Sequence, residues 1–115
     1  MSIATTKLTE IDVLVGTATS TVGAATVNTQ TGVVTTEALT TAAAATYTFT
    51  LTNSLINANS IVLVTIAKGT ATTGEPAVHF VTPAAGSAVI LIRNDAAVAA
   101  LNGTIKIGYV VYNLS

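Results

Sequence analysis

The sequence predicts an all-β protein: one antiparallel β-sandwich, jelly-roll-like, of about eight strands. Three observations support this prediction. Apolar and polar residues alternate with a period of two in several segments, which is typical of strands with one buried face. Gly, Pro and Asn-Gly turn signals separate these segments at intervals of roughly 8–15 residues. Threonine, a β-branched residue that suits a half-exposed sheet, is abundant throughout.

Two segments show the alternation most clearly. Residues 46–52 read Thr-Tyr-Thr-Phe-Thr-Leu-Thr, so Tyr47, Phe49 and Leu51 share one face and threonines occupy the other. In the last predicted strand, residues 104–113, every second side chain is expected in the core: Ile105, Ile107, Tyr109 and Val111.

The remaining strands are predicted from shorter patterns. In residues 76–82, Val78 and Phe80 are expected on one face, and His79 and Val81 on the other. The other predicted strands are residues 11–15, 25–29, 32–36, 60–67 and 87–93. Residues 1–20 are either an N-terminal arm or an edge strand, and residues 21–115 form the single domain.

The connections also carry signals. The Ala-rich residues 41–45 and 95–101 are too short for stable helices, so we expect loops or single turns. Asn102-Gly103 is expected to form a tight turn, because both residues tolerate positive φ. Two strands end in asparagine, at Asn53 and Asn94, in similar strand–connector–strand units.

Residues 60–67 are apolar on both faces. Such a segment is either a central strand or a strand whose outer face is covered by a second chain. The chain carries 8% charged residues, against roughly 25% in ordinary soluble domains. We therefore expect a homo-oligomer, and the candidate subunit interface combines outward residues of this strand and the last one: Ile61, Leu63, Val110 and Tyr112.

Other function classes find little support. The net charge of −1 gives no electrostatic case for nucleic acid or an anionic membrane surface. No apolar run approaches the ~20 residues of a membrane span. Residues 1–16 lack a secretory signal, so synthesis in the cytoplasm is expected. Without cysteine there is neither a disulfide nor a thiolate metal site.

No catalytic, cofactor or metal site is predicted. His79 is the only histidine, and it lacks other ligands nearby in the sequence. Ser60 and Ser87 lie outside any Gly-x-Ser-x-Gly elbow. The five carboxylates fall mostly at turns or strand ends, where water would hydrate them: Glu10, Asp12, Glu37, Glu75 and Asp95.

Four segments with placed Asn and Gly residues carry a family resemblance. They are residues 17–39, which contain Gly-Val-Val-Thr-Thr-Glu-Ala-Leu, and residues 49–64, 85–94 and 100–111. This set resembles small β-sandwich virion proteins of tailed bacteriophages, which occur as capsid decoration (cement) proteins and as pieces of tail fibres. The resemblance implies a jelly roll, commonly trimeric, and it brings no catalytic residues.

Composition and resemblance together predict a non-enzymatic virion protein. The expected role is a trimeric decoration protein that binds the major capsid protein on the outer capsid surface and stabilises the shell. The alternative is a receptor-binding or tail-fibre module, whose loops, such as residues 69–74, would contact a host glycan or protein.

Overall fold

The computed structural model describes residues 15–113, which form two stacked four-stranded sheets. In chain order the strands are β1 (Val15–Thr19), β2 (Ala24–Thr26), β3 (Thr31–Thr35), β4 (Thr46–Thr52), β5 (Ile61–Lys68), β6 (Pro76–Ala84), β7 (Ser87–Asn94) and β8 (Ile105–Tyr112). The first sheet has the order β1-β3-β8-β5 and the second β2-β4-β7-β6. The predicted eight-stranded all-β sandwich is therefore confirmed.

The core lies between the two sheets, on the faces that the alternation predicts. Phe49 and Leu51 of β4 are fully buried, and Tyr47 is half-buried beside them. From the opposite sheet, Ile105 and Ile107 of β8 are also inaccessible to solvent. Burying an aliphatic or aromatic side chain of this size contributes about 1.5–3 kcal/mol, so this interdigitated layer drives folding.

The pairing of the strands differs from the expected antiparallel pattern at one edge of each sheet. β1 pairs with β3 in parallel, and β2 pairs with β4 in parallel, whereas the remaining pairs are antiparallel. Six of the seven connections cross from one sheet to the other. Because the intervening strand lies in the other sheet, β1 and β3 are neighbours that run in the same direction, and so are β2 and β4.

The expected faces of β6 are wrong after Val78. The pairing with β7 shifts by one residue between Val78 and Phe80, which is the mark of a β-bulge. As a result Val78 and Val81 both pack against the core, while His79 and Phe80 are exposed with their ring centroids 5.3 Å apart. The bulge occurs on an edge strand, where such irregularities are common.

The Ala-rich connectors are loops, as predicted, but Asn102-Gly103 is not the expected positive-φ turn. Gly103 has no positive φ; a Cβ there would lie 2.8 Å from the backbone nitrogen of Ala71, so close approach of two loops requires the glycine. Asn102 Oδ1 accepts hydrogen bonds from the backbone N–H groups of Thr72 and Thr73 at 2.7 and 3.1 Å. The pair thus fastens one loop to another.

The prediction for residues 1–20 falls mostly on residues outside the described range, as does most of the strand predicted at 11–15. Within the described part, Val15–Thr19 forms an edge strand of the first sheet. The carboxylates Glu10 and Asp12 also lie outside the described residues.

Candidate functional site

The solvent-facing side of the first sheet, which we call the outer face, carries all four candidate interface residues. They are partly exposed: Ile61 45%, Leu63 60%, Val110 37% and Tyr112 53%. In the register of β5 with β8, Ile61 lies opposite Tyr112, and Leu63 lies opposite Val110. Side chains directly opposite each other on one sheet face are in contact range, so the four form one continuous apolar patch.

Two further strands extend this patch. Val33 of β3 and Val15 of β1 are exposed by 37% and 66%, respectively, and Val33 lies opposite Gly108 of β8. Neither valine was predicted from the sequence, because only the strand pairing shows that β3 lies beside β8 and that β1 lies beside β3. The exposed apolar side chains therefore run across all four strands.

A shallow groove of about 360 Å³ lies within the outer face. Its lining includes Val15, Val33, Leu63, Thr65 and Val110, and Gly108 lies among them. A Cβ added at Gly108 would reach 3.1 Å from Thr65 Cγ2, so the absent side chain opens the space. A glycine between Lys106 and Val110 on the outward positions of β8 is the sequence signal that marks this depression.

β5 is an edge strand of its sheet. This position removes one of the two explanations for its apolar residues on both faces, namely that it is a central strand. Its core-facing side chains, beginning with buried Val62, fill the sandwich. Burial within the fold does not account for Ile61 and Leu63, which point away from the core.

The outer face is almost free of charge. Among the described residues on its strands, the outward positions are apolar, Thr or Gly apart from Lys106, which lies near one end of β8. In monomeric proteins, exposed strand surfaces usually carry charges that repel other chains. An apolar patch without them is typical of a surface that contacts another macromolecule.

The described His, Asp and Glu side chains do not come together at one site. Within residues 15–113, no group of three or more His, Asp or Glu side chains could hold a metal ion. Glu75 and Asp95 line a separate cleft of about 390 Å³ with Lys68. Asp95 is an exposed partner of Arg93, whose Nη1 lies 3.0 Å from its Oδ1, so this cleft has the mixed charges of a solvated surface.

The serines do not form a nucleophile site. Ser60 is buried, where its hydroxyl accepts a hydrogen bond from the backbone N–H of Asn57 and donates to Asn113 Oδ1. Ser87 begins β7 inside a hairpin. In the part of the chain that the structure covers, we also find no helix with the length and apolarity needed to span a membrane.

Glu37 is the carboxylate with the most contacts among those described. It accepts hydrogen bonds from the Ser20 hydroxyl, from the Gly23 backbone N–H at 2.9 Å and from the Tyr47 hydroxyl at 3.1 Å. It thereby holds the turn between β1 and β2, in which Val22 and Gly23 have positive φ. Although burial raises the pKa of Glu37, these hydrogen bonds outweigh it and hold the pKa below its ordinary value of 4.5.

This carboxylate should contribute to acid stability. A lowered pKa in the folded state means that stability is present above the unfolded pKa near 4.5 and is lost as the pH falls through the folded value. Urea unfolding between pH 7 and pH 2 should show this loss, and Glu37→Gln should reduce its steepness. The exposed Glu75→Gln is the matched control and should retain the wild-type profile. An unchanged profile for Glu37→Gln would contradict the assignment.

Tyr47 is the third side chain of this hydrogen-bonded group, with Ser20 and Glu37. Burial, and then the neighbouring Glu37 carboxylate, raise the pKa of Tyr47 to about 12. Its hydroxyl therefore stays protonated at neutral pH and remains a donor to Glu37. These hydrogen bonds therefore anchor the turn between β1 and β2. They provide neither a nucleophile nor an acid that could protonate a leaving group.

Comparisons with protein-family models, with curated proteins and with solved structures find no significant match to this chain. The functional interpretation therefore depends on the outer face, on the composition and on the resemblance described above.

Proposed function

We propose that this chain is a non-enzymatic structural protein of a tailed-phage virion, a trimeric decoration protein that binds the major capsid protein and stabilises the shell from outside. The observation that carries the proposal is the exposed, nearly uncharged outer face of the first sheet. Only 8% of the residues are charged, so few charges keep such a surface from associating. Covering it with another protein is therefore more favourable than on an ordinary soluble domain.

The mechanism would be mass action. A protein that binds only the assembled shell stabilises it by RT ln(1 + [L]/Kd), where [L] is its free concentration. Burial of apolar surface at about 25 cal/mol per Å² drives association, reduced by the cost of ordering the partners. No bond is made or broken, so the function needs shape and surface chemistry rather than a catalytic site.

The test compares phage particles with and without this protein. We expect heads that lack it to rupture at a lower temperature than complete heads, and purified protein added back should restore their resistance. Adsorption to host cells should stay unchanged. Heads of equal resistance, to which the purified protein does not bind, would contradict the decoration role.

A receptor-binding or tail-fibre module is the second candidate, and one loop favours it. Backbone N–H groups of Thr70 and Thr72 are fixed by Thr104 Oγ1 and Asn102 Oδ1 at 2.9 and 2.7 Å. The exposed Thr70, Thr72 and Thr73 are therefore preorganised at one end of the sandwich, around the buried Ala71, which lowers the entropic cost of binding a polar ligand. Particles without the protein would then have intact heads and fail to adsorb.

A further inference from the structure

We propose that the outer face packs against a second copy of this chain, with Leu63 of one copy inserted into the groove above Gly108 of the next. This inference rests on the proposed function in one respect, because both require the chain to associate with itself. It adds the contact that produces this association. Leu63 is the most exposed of the four apolar residues at the β5–β8 pair. The groove lies directly beside it.

The shapes of the two features are complementary. Leu63 projects from an edge strand, whereas Gly108, paired with the neighbouring Thr65, provides no side chain at all. An enclosed cavity of roughly 150 Å³ accommodates a benzene-sized group. A groove of about 360 Å³ therefore has room for a leucine side chain and part of a neighbouring residue such as Ile61.

The apolar area fits a contact between copies. The six exposed apolar side chains of the outer face present on the order of 500 Å², near the upper end of the largest patch on typical monomers. With the surrounding threonines this approaches the roughly 800 Å² per partner that a specific, stable interface buries. The six are Val15, Val33, Ile61, Leu63, Val110 and Tyr112.

The charge distribution favours a second copy over a charged partner. Lys106 is the only charged outward residue on the described strands of this face, and it lies at the opposite end of β8 from Tyr112. The six intervening rises of about 3.3 Å separate the two positions by roughly 20 Å. The groove above Gly108 lies two rises, about 7 Å, from Lys106 on the same face, so one lysine borders the contact while the Tyr112 end carries no charge. On the described strands of this face, an acidic partner would find a single counter-charge and a basic partner none.

A protrusion and a groove on the same face also permit a closed assembly. In a ring, each copy gives its Leu63 to one neighbour and receives the Leu63 of the other. The edge strand β5 then lies over the sheet of the next copy, which covers an otherwise open edge. This arrangement provides the contact that the proposed trimer requires.

The first test uses native mass spectrometry of three single variants of the full chain. Leu63→Asn removes the apolar protrusion and Gly108→Val fills the groove, so each should raise the dissociation constant of the oligomer at least about tenfold, a loss near 1.4 kcal/mol. Val98→Asn is the matched control, because Val98 is 91% exposed in the loop after β7, and it should associate like the wild type.

A folding measurement separates this effect from misfolding. Valine is a better strand former than glycine, so Gly108→Val should keep the native circular dichroism spectrum while it dissociates. If both variants retain the wild-type mass, the proposed contact is wrong and the virion role stands. If both dissociate but particles do not need the protein, the contact stands and the virion role is wrong. A monomeric wild type overturns both the contact and the trimer.

Cysteine cross-linking provides a second readout, because the chain has no cysteine of its own. Leu63→Cys and Gly108→Cys, mixed as separate single variants and oxidised, should give a disulfide-linked pair on a non-reducing gel. A mixture of Val98→Cys with Gly108→Cys should give none. Equal cross-linking in both mixtures would reflect random collision and would overturn the proposal.

Discussion

Replacing Asn94 by alanine should lower the free energy of unfolding by at least about 3 kcal/mol. Asn94 is fully buried at the end of β7. Its Nδ2 donates to the carbonyl oxygens of Thr41 and Ala99 at 3.1 and 2.8 Å, and its Oδ1 accepts from the backbone N–H groups of Glu75 and Ala96 at 2.9 and 3.1 Å. Each buried group left unsatisfied costs about 1–3 kcal/mol, so losing four partners is severe.

Urea unfolding at neutral pH measures this effect. Asn59→Ala, at an exposed position, is the matched control and should change stability by no more than about 0.5 kcal/mol. If Asn94→Ala were to unfold at the same urea concentration as the control, Asn94 would not join the three loops that meet at it.

Gly32→Ala should destabilise the fold by about 2–3 kcal/mol through overpacking. Gly32 lies on the core side of β3, opposite Tyr109 in the register with β8. A Cβ there would lie 2.7 Å from Tyr109 Cε1 and 2.8 Å from the backbone oxygen of Gly16. The Tyr109 ring cannot move away freely, because its hydroxyl lies 3.0 Å from Thr29 Oγ1 and donates to the Thr29 carbonyl.

Gly108→Ala is the control for this change, since it adds the same methyl group on the outer face of the neighbouring strand. The added Cβ meets only the Thr65 side chain at 3.1 Å, which can shift toward solvent. Thermal unfolding at low protein concentration should therefore show a much lower melting temperature for Gly32→Ala than for Gly108→Ala. Equal melting temperatures would mean that the Gly32–Tyr109 contact does not constrain the core.

The strands that alternate over a long segment could be predicted from sequence, because one face of each is buried. β4 has the predicted bounds, and the core face of β8 contains the predicted side chains. The parallel pairings at the sheet edges could not be predicted, since a short strand such as β2 carries no local signal of its partner. The bulge at His79 was missed for a related reason: no residue pattern distinguishes it from regular alternation.

Part of the candidate site was also accessible from sequence. Ile61 and Leu63 could be identified because β5 is apolar on both faces. Val110 and Tyr112 could be identified because they alternate with the core residues along β8. The groove could not be predicted, because Val15 and Val33 reach it only through the order β1-β3-β8-β5. Surfaces built from four non-consecutive strands depend on tertiary pairing, which hydrophobic periodicity does not encode.

The most direct test is sedimentation equilibrium of the wild-type chain across micromolar concentrations. If other copies shield the outer face, the mass should be a multiple of the 11.5 kDa chain, and a trimer is the expected state. A mass of one chain at every concentration would leave Leu63 and its neighbours in water and would contradict the account.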